Sequence, residues 1–228
     1  MPYREEPHAP LLHRLWTPRY GGGTVPVLVH GAHRLVSSTD ILGYADTVCG
    51  GGRLYPPEAA LSREVKVLEA RFDAELGPHT RRWAYAQLLP ETGLLRQVWA
   101  QRAPRLEAGL VPAIVPIARK LVRAAYGVTP DGAARSLERV HAIFAEVSAC
   151  LDERRGFLVG DRFTAADLTF AALAAPVVFP AGCRAVLPAL EAVPGGMRDE
   201  VLRLRDTPAG EFALRLYACS RDHSSAVV

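Results

Sequence analysis

The residues whose types and spacing best suit chemistry lie in one stretch near the start of the chain, residues 24–46. Pro26 interrupts an apolar, β-branched run, and Ser37 and Ser38 stand where the next helix is expected to begin. Because unpaired amides and the dipole at a helix N-terminus favour an anion, the serine pair predicts an anion-binding helix start. Two simpler interpretations remain open: Ser37 is a plain N-cap paired with Asp40, and Pro26 is an ordinary edge-strand proline.

The elements around this stretch are predicted by local patterns. Residues 25–30 and 34–36 are short apolar runs separated by Gly31-Ala32, a tight-turn signal, so we expect an antiparallel hairpin. A helix is expected to open at Ser37 and to run to about Val48. The Gly- and Pro-rich segment that follows predicts a boundary between two domains.

From about residue 58 onward the chain is predicted to be helical almost throughout. Apolar residues at spacings of three and four predict one face of a long helix: Leu61, Val65, Leu68, Phe72 and Leu76. Gly77-Pro78 is expected to kink or end that helix. Two later helices are predicted to begin with a threonine N-cap followed by proline, at Thr129-Pro130 and Thr207-Pro208.

The clearest local signal is a capping box formed by Thr164 and Asp167. Phe163 and Leu168 flank it in the arrangement of a hydrophobic staple. The residues that follow are apolar nearly all round, so the helix is predicted to be buried in the middle of a bundle. We interpret the box as structural rather than catalytic, because it satisfies end groups that water cannot reach.

Composition excludes several classes of protein. Of the 228 residues 49% are hydrophobic and 22% charged, the balance of a soluble globular protein, and a net charge of +3 is too small to indicate nucleic acid. The four widely separated cysteines predict no disulfide framework and a reduced, cytoplasmic setting. The most apolar run, residues 109–118, is too short to span a bilayer and contains two prolines, so no membrane segment is predicted.

Three motifs, in their order and spacing, resemble the cytosolic glutathione transferase family over essentially the whole chain. They are Thr24-Val25-Pro26-Val27-Leu28, the helix start Ser38-Thr39-Asp40-Ile41, and the capping segment at residues 160–167. The resemblance implies an α+β, mostly α, fold with a truncated thioredoxin-like domain followed by an all-helical domain. The expected limits are 1–48 for the first domain, 49–57 for a linker, 58–222 for the helical domain and 223–228 for a tail.

The resemblance also implies a ligand and its contacts. Pro26 would be cis, and the exposed backbone of Val25 would pair with the cysteinyl part of glutathione like an added strand. Ser38 would bind the γ-glutamyl carboxylate, with Ser37 where the family usually has an acid or Gln. Trp83 and Tyr85 lie in the neighbourhood that faces the electrophile pocket in the family, and core packing is the alternative for both.

The family's activating residue has no counterpart in this sequence. In the family a first strand and helix precede the segment that Tyr3-Arg4-Glu5-Glu6 resembles, and the turn between them holds the Tyr, Ser or Cys that activates the glutathione sulfur. Met1 falls about where the second strand begins, so we expect the catalytic residue before Met1. Either the start codon is assigned too late or the protein is a real short variant.

Other residues with chemical potential have simpler explanations. The pair His30 and His33 lacks further ligands at zinc spacing, so no metal is expected. His8 and His13 lie in the loop that in the family reaches the glycine end of glutathione, although loop histidines are ordinarily solvated. Cys49 follows the predicted helix. A redox role is one interpretation of this cysteine, and an inert thiol is the commoner one.

Two hypotheses for function follow. The first is a glutathione S-transferase family protein, a cytoplasmic homodimer that binds glutathione and joins or exchanges its thiol at an apolar electrophile, provided that an upstream activating residue exists. No metal, nucleic acid or membrane is expected as a partner. The second is a non-catalytic dimeric scaffold or binding module that lacks the catalytic turn.

Overall fold

The computed structural model of the protein describes residues 3–8, 12–101, 103–151, 156–181, 183 and 187–224. The strands β1 and β2 within this part of the chain are Leu28–His30 and His33–Leu35. The helices, in chain order from α1 to α10, are His13–Trp16, Ser38–Val48, Ala59–Arg71, Gly77–Leu88, Thr92–Ala100, Arg105–Ala125, Pro130–Cys150, Ala165–Val178, Gly195–Arg205 and Pro208–Ser224. The predicted fold class, mostly α with a small β portion ahead of an all-helical domain, is confirmed.

The small β portion is the antiparallel hairpin predicted from the sequence. Strands β1 and β2 pair through Leu28 opposite Leu35 and His30 opposite His33, with the two-residue turn at Gly31-Ala32. The family resemblance implied a further strand near Tyr3-Arg4-Glu5-Glu6, ahead of the hairpin. This strand does not form, since residues 3–8 have no regular structure. A strand needs a partner for its backbone groups, and the described sheet has only the two strands of the hairpin.

The long helix predicted over residues 61–76 changes form close to Gly77-Pro78, where it was expected to kink or end. Helix α3 leads into a π-helical segment, Phe72–Leu76, and α4 begins directly at Gly77. Pro78 has no N–H to donate one turn back, and the wider π turn lets the chain pass this position. A Cβ on Gly77 would lie 3.1 Å from Leu173 Cδ2, so glycine also permits close packing of α4 on α8.

The main core surrounds α8, which packs against α3, α4, α9 and α10. The ring of Phe170 on α8 lies 5.4 Å from that of Phe72, 5.6 Å from that of Phe144 and 6.2 Å from that of Phe212, measured between centroids. These four rings join the π segment to α7, α8 and α10. Helix α8 is buried nearly all round, as its uniformly apolar sequence predicted.

The predicted threonine caps are confirmed. Thr129 Oγ1 accepts the N–H of Gly132 at 3.0 Å at the start of α7, and Thr207 Oγ1 accepts the N–H of Gly210 at 3.1 Å at the start of α10. None of the helices in the described part of the chain is both long and apolar enough to cross a membrane.

A buried carboxylate joins the small N-terminal portion to the helical domain. Asp46, on the last turns of α2, accepts the backbone N–H groups of Gly52, Arg53 and Leu54 at 2.8 to 3.0 Å. The carbonyl of Leu54 in turn accepts the N–H of Ala165 at 2.9 Å, at the start of α8. The connection between the two portions is therefore held at both ends by hydrogen bonds.

Candidate ligand-binding site

The hairpin brings the two predicted ligand-binding segments together. Leu28 lies opposite Leu35 at the open end of the ladder, and Val25 and Ser38 are each the third residue beyond this pair on the two segments that leave it. The packing around Gly22 indicates that the two segments stay close just past the ladder, because a Cβ there would lie 2.9 Å from Val36 Cγ1 and 3.7 Å from Val27 Cγ2. Val27 and Val36 thus approach the same small space, and the residues just beyond them share one end of the hairpin.

The backbone of Val25 is available at that end. Its peptide bond to Pro26 is cis, as the resemblance implied, and its side chain is 58% exposed. The ladder of β1 and β2 begins only at Leu28, so the hairpin does not use the N–H and C=O of Val25. An extended peptide could pair with these groups as an added strand.

The start of α2 supplies the second part of the site. Ser37 is the N-cap, in extended conformation, and its Oγ accepts the N–H of Asp40 at 3.5 Å. Ser38 and Thr39 occupy the first turn, where no earlier helical carbonyl can accept their amides, and both residues are exposed. The plain N-cap interpretation is therefore correct for Ser37, while the amides of the next two residues remain open to an anion.

Asp40 places a negative charge in the same turn. When no ligand is bound, the carboxylate of Asp40 interacts favourably with the helix dipole. The same carboxylate repels a second negative charge at the helix start. A carboxylate bound there would need the hydroxyl of Ser38 as well as the amides to offset this repulsion.

The two histidines at the turn end of the hairpin are engaged by Tyr44. His30 Nδ1 lies 2.6 Å from the hydroxyl of Tyr44 on α2, and the His33 ring lies 5.0 Å from the Tyr44 ring. Together they pack the hairpin onto α2. No group of three or more metal-ligating His, Cys, Asp or Glu side chains occurs among the described residues.

His8 and His13 sit against the helical domain. His8 Nδ1 lies 2.9 Å from Glu107 Oε1 on α6, and its ring stacks on that of Trp16 with centroids 5.5 Å apart. Burial, followed by the charges of Arg14 and His8, lowers the pKa of His13. The contacts of His8 explain its position without a ligand.

Of the two residues suggested for an electrophile pocket, the structure places Trp83 in the main core with 3% of its surface exposed. Tyr85 packs against Tyr126, with centroids 5.2 Å apart, in a smaller cluster that includes Leu89. Burial, and then the neighbouring Tyr126, raises the pKa of Tyr85. Core packing, the alternative weighed from the sequence, is the role that these contacts support.

Two grooves border α2 instead. One, of about 470 Å³, includes Cys49, Arg53 and Arg162 in its lining. The other, of about 420 Å³, lies between α2 and α3 and is lined by Thr39, Gly43, Asp46, Thr47, Tyr55, Lys66, Glu69 and Ala70. Sequence analysis missed this second groove, because its lining comes from three separate segments of the chain and no local pattern joins them.

The second groove has a buried polar wall. Glu69 is 2% exposed and accepts a hydrogen bond of 2.9 Å from the hydroxyl of Tyr55. Burial, followed by the bond to Glu69, raises the pKa of Tyr55. The ammonium of Lys66 lies 6.0 Å from the centre of the Tyr55 ring. Because Thr39 is in the first turn of α2, this groove begins next to the candidate anion site.

Comparison with known proteins agrees with this architecture. Residues 130–194, which contain α7, α8 and the capping box, match the family model described as the C-terminal domain of glutathione S-transferase. Among solved structures, the chain is similar to the beta-etherase LigF from Sphingobium sp. strain SYK-6, with 22% identity, a TM-score of 0.50, and coverage of 90% of this chain and 82% of that one. No curated protein matches the chain.

The architecture, a small β portion ahead of an all-helical domain, is consistent with a truncated thioredoxin-like domain followed by a glutathione S-transferase C-terminal domain. The match to that C-terminal domain covers residues 130–194, which contain the capping segment that carried part of the resemblance in the sequence.

Proposed function

We propose that the protein binds glutathione and transfers its thiol to an apolar electrophile. The observation that supports this best is that Val25 and the start of α2 at Ser38 both follow closely on the same open end of the hairpin. One segment offers backbone groups that the ladder does not use, and the other offers the exposed first turn of a helix. Glutathione has a peptide backbone and, at its γ-glutamyl end, a carboxylate, so it matches both parts at once.

Each part of the ligand has a partner in this proposal. The cysteinyl backbone pairs with the N–H and C=O of Val25, and the γ-glutamyl carboxylate accepts from the amides of Ser38 and Thr39 and from the Ser38 hydroxyl. Pro26 shapes the edge and Ser37 caps the helix that bears the amides. Such contacts orient glutathione and fix its sulfur relative to the protein.

The chemistry is attack of the glutathione sulfur, after loss of its proton, on a carbon of the electrophile. In a substitution the new sulfur–carbon bond replaces the bond to a leaving group, which departs with its electron pair; in an addition a π bond of the electrophile opens and its other atom takes up a proton. The thiolate is the attacking form, so a group that stabilises it accelerates the reaction. None of the residues that we assign to binding serves this purpose. Transfer therefore requires an activating group in addition to the four binding residues, and the protein would work as a cytoplasmic homodimer, as the family does.

Isothermal titration calorimetry tests the binding. Glutathione should bind, and Ser38→Ala should weaken it about ten- to hundredfold, the effect of losing a hydrogen bond to a charged group. Thr47→Ala is a matched control, because Thr47 is an exposed hydroxyl residue on the same helix that bonds only to the carbonyl of Gly43 in the described structure. Absence of heat with glutathione would refute the proposal.

A second titration locates the γ-glutamyl end. Cysteinylglycine lacks that end, so Ser38→Ala should leave its weaker binding unchanged while it reduces the affinity for glutathione. Equal effects on both ligands would mean that Ser38 does not contact the γ-glutamyl carboxylate. A conjugation assay with a generic aromatic electrophile then separates a transferase from a scaffold, since a scaffold would bind without forming product.

A further inference from the structure

Helix α6 has two apolar faces, and only one of them is covered. Val111, Val115, Ala118 and Val122 are buried against the rest of the protein. On the opposite side a second apolar row is exposed, which we call the outer face of α6: Leu106, Leu110, Ala113, Ile117 and Leu121. Leu106 is 88% exposed and Ile117 is 61% exposed, so these large side chains contact solvent rather than protein.

The spacing shows that the outer face is one continuous stripe. Its members follow one another at intervals of four, three, four and four residues, the spacing of one side of an α-helix. With about 100° between successive residues, the row lies within a sector of roughly 80°. An uncovered apolar stripe of this length on a soluble helix is typical of an interaction surface.

Charge indicates what kind of partner covers it. Residues 91–125 contain six basic and two acidic residues, a net +4 that exceeds the +3 of the whole chain. No acidic residue occurs between Glu107 and Asp131, and Glu107 itself faces His8 at 2.9 Å. Lys120 and Arg123, both exposed, flank the stripe on one side. The surface is therefore apolar and edged with positive charge alone.

The N-terminal helix, which packs on the covered face of α6, carries exposed apolar side chains of its own. Leu12 packs against the buried face of α6, and His8 contacts both Trp16 and Glu107, so α1 lies beside the first turns of α6. Leu15 is 74% exposed and Trp16 is 41% exposed. The guanidinium of Arg19 lies 5.0 Å from the centre of the Trp16 ring. Tryptophan, leucine and arginine together favour the boundary between water and lipid.

We propose that the outer face of α6 docks on an anionic lipid surface. The helix lies in the plane of the bilayer boundary, with its apolar stripe in the acyl region and Lys120 and Arg123 at the headgroups. This placement differs from a membrane-spanning segment. It also goes beyond the expectation of no membrane partner, which rested on the short length of the apolar run and on its two prolines.

A second copy of the chain fits this surface less well. A two-fold contact places the same patch on both sides, so the basic flanks of the two copies meet with no acidic residue on the face to offset them. Anionic lipid supplies the missing negative charge. The proposal does not depend on glutathione binding, because the residues assigned to glutathione lie beside the hairpin and at the start of α2, not on α6.

Vesicle flotation tests the proposal. The chain should float with vesicles of phosphatidylcholine and phosphatidylglycerol and float much less with phosphatidylcholine alone. The double variant Leu110→Gln/Ile117→Gln should reduce the partition coefficient by more than about tenfold, since two large apolar side chains no longer enter the lipid. Lys120→Glu/Arg123→Glu should reduce it by at least about tenfold and should lessen its dependence on salt.

The matched control is Val67→Gln/Leu202→Gln, which removes two exposed apolar side chains from α3 and α9. It should float like the unchanged chain, and far-UV circular dichroism should be the same for all variants. Equal flotation of the α6 variants and the control would overturn the proposal. Sedimentation equilibrium tests the alternative. If the chain forms a dimer that Leu110→Gln/Ile117→Gln dissociates, and if it does not float, the face is a self-interface and the lipid proposal is overturned as well.

Discussion

Helices α2 and α8 both begin after a hydroxyl residue with an aspartate three positions later, Ser37 with Asp40 and Thr164 with Asp167. In α8 the carboxylate of Asp167 accepts the N–H and hydroxyl of Thr164 at 2.7 and 2.8 Å, and the N–H of Leu158 at 2.8 Å. In α2 the only bond of this kind in the described structure is the long one from the Asp40 amide to Ser37.

The difference between the two starts is their surroundings. Thr164 and Asp167 are fully buried, so every polar group there needs a partner inside the protein. Burial raises the pKa of Asp167, and the bonds from Leu158 and Thr164 act in the opposite direction. Ser38 and Asp40 are exposed, so water can serve the free amides until a ligand arrives. One sequence pattern thus produces a closed helix end and an open one.

The largest expected effect sharpens this contrast. Asp167→Ala leaves two buried N–H groups and a hydroxyl without their acceptor, and should lower the free energy of unfolding by about 3–5 kcal/mol. Asp40→Ala removes only an exposed charge near a helix start and should cost less than about 1 kcal/mol. Urea unfolding of both variants measures the difference. Similar losses of unfolding free energy in the two variants would mean that burial does not distinguish the start of α8 from the start of α2.

Asp46, at the far end of α2, should behave like Asp167 rather than like Asp40. Burial acts to raise its pKa, but the N–H groups of Leu54, Arg53 and Gly52 outweigh burial and hold the pKa of Asp46 below its usual range. A carboxylate with a lowered folded pKa stabilises the protein above its unfolded pKa of about 3.9, and that stabilisation is lost as pH falls through the folded value.

Asp46→Asn should therefore cost about 1–3 kcal/mol at neutral pH, the range for hydrogen bonds to a charged group. The difference in the free energy of unfolding between the variant and the unchanged chain should become smaller as pH falls below about 4. Thermal or urea midpoints across the acid range measure this. A gap independent of pH would show that the charge of Asp46 is not what holds the linker.

A smaller effect is expected at the open cap itself. Ser37→Ala should destabilise α2 by about 1 kcal/mol, because the amide of Asp40 loses its side-chain acceptor. Hydrogen exchange of the α2 amides should accelerate while the α8 amides are unaffected. Thr129→Ala, at the cap of α7, is the comparison, and faster exchange should there be confined to α7.

The smallest effect on stability is expected one residue later. Ser38→Ala should change the free energy of unfolding by no more than about 0.5 kcal/mol, since the hydroxyl is exposed and caps nothing in the described structure. The same variant is the one that should weaken glutathione binding. A large loss of stability would instead assign Ser38 a structural role and weaken the proposed function.

Most local elements could be predicted from the sequence. The hairpin, the end of α2 at Val48 and the caps at Thr129, Thr164 and Thr207 depend on bonds between residues close in the chain. A break of the long helix near Gly77-Pro78 was predicted, but its form, a π turn packed against α7 and α8, depends on tertiary contacts. Residues 3–6, near which a strand was expected, have no regular structure, and the described sheet has only the two strands of the hairpin.

The candidate site was predictable in part. Val25, Pro26, Ser37 and Ser38 were named from the sequence, and the structure places them at one end of the hairpin. Their role in binding glutathione stays a prediction. Trp83 was named for its place in the chain, but its burial depends on α7 and α8 packing around it. The groove with Tyr55 and Glu69 joins residues from three segments and had no local pattern.

The sequence by itself determined where α2, α7, α8 and α10 begin and which face of α3 is apolar, since these follow from spacing and short-range bonds. Only the tertiary structure decided which apolar faces are covered and which helix starts are closed. Two apolar stripes of α6 look alike in sequence, yet one is core and the other is exposed. The reason is that burial depends on what packs against a segment, and that is a property of the whole chain.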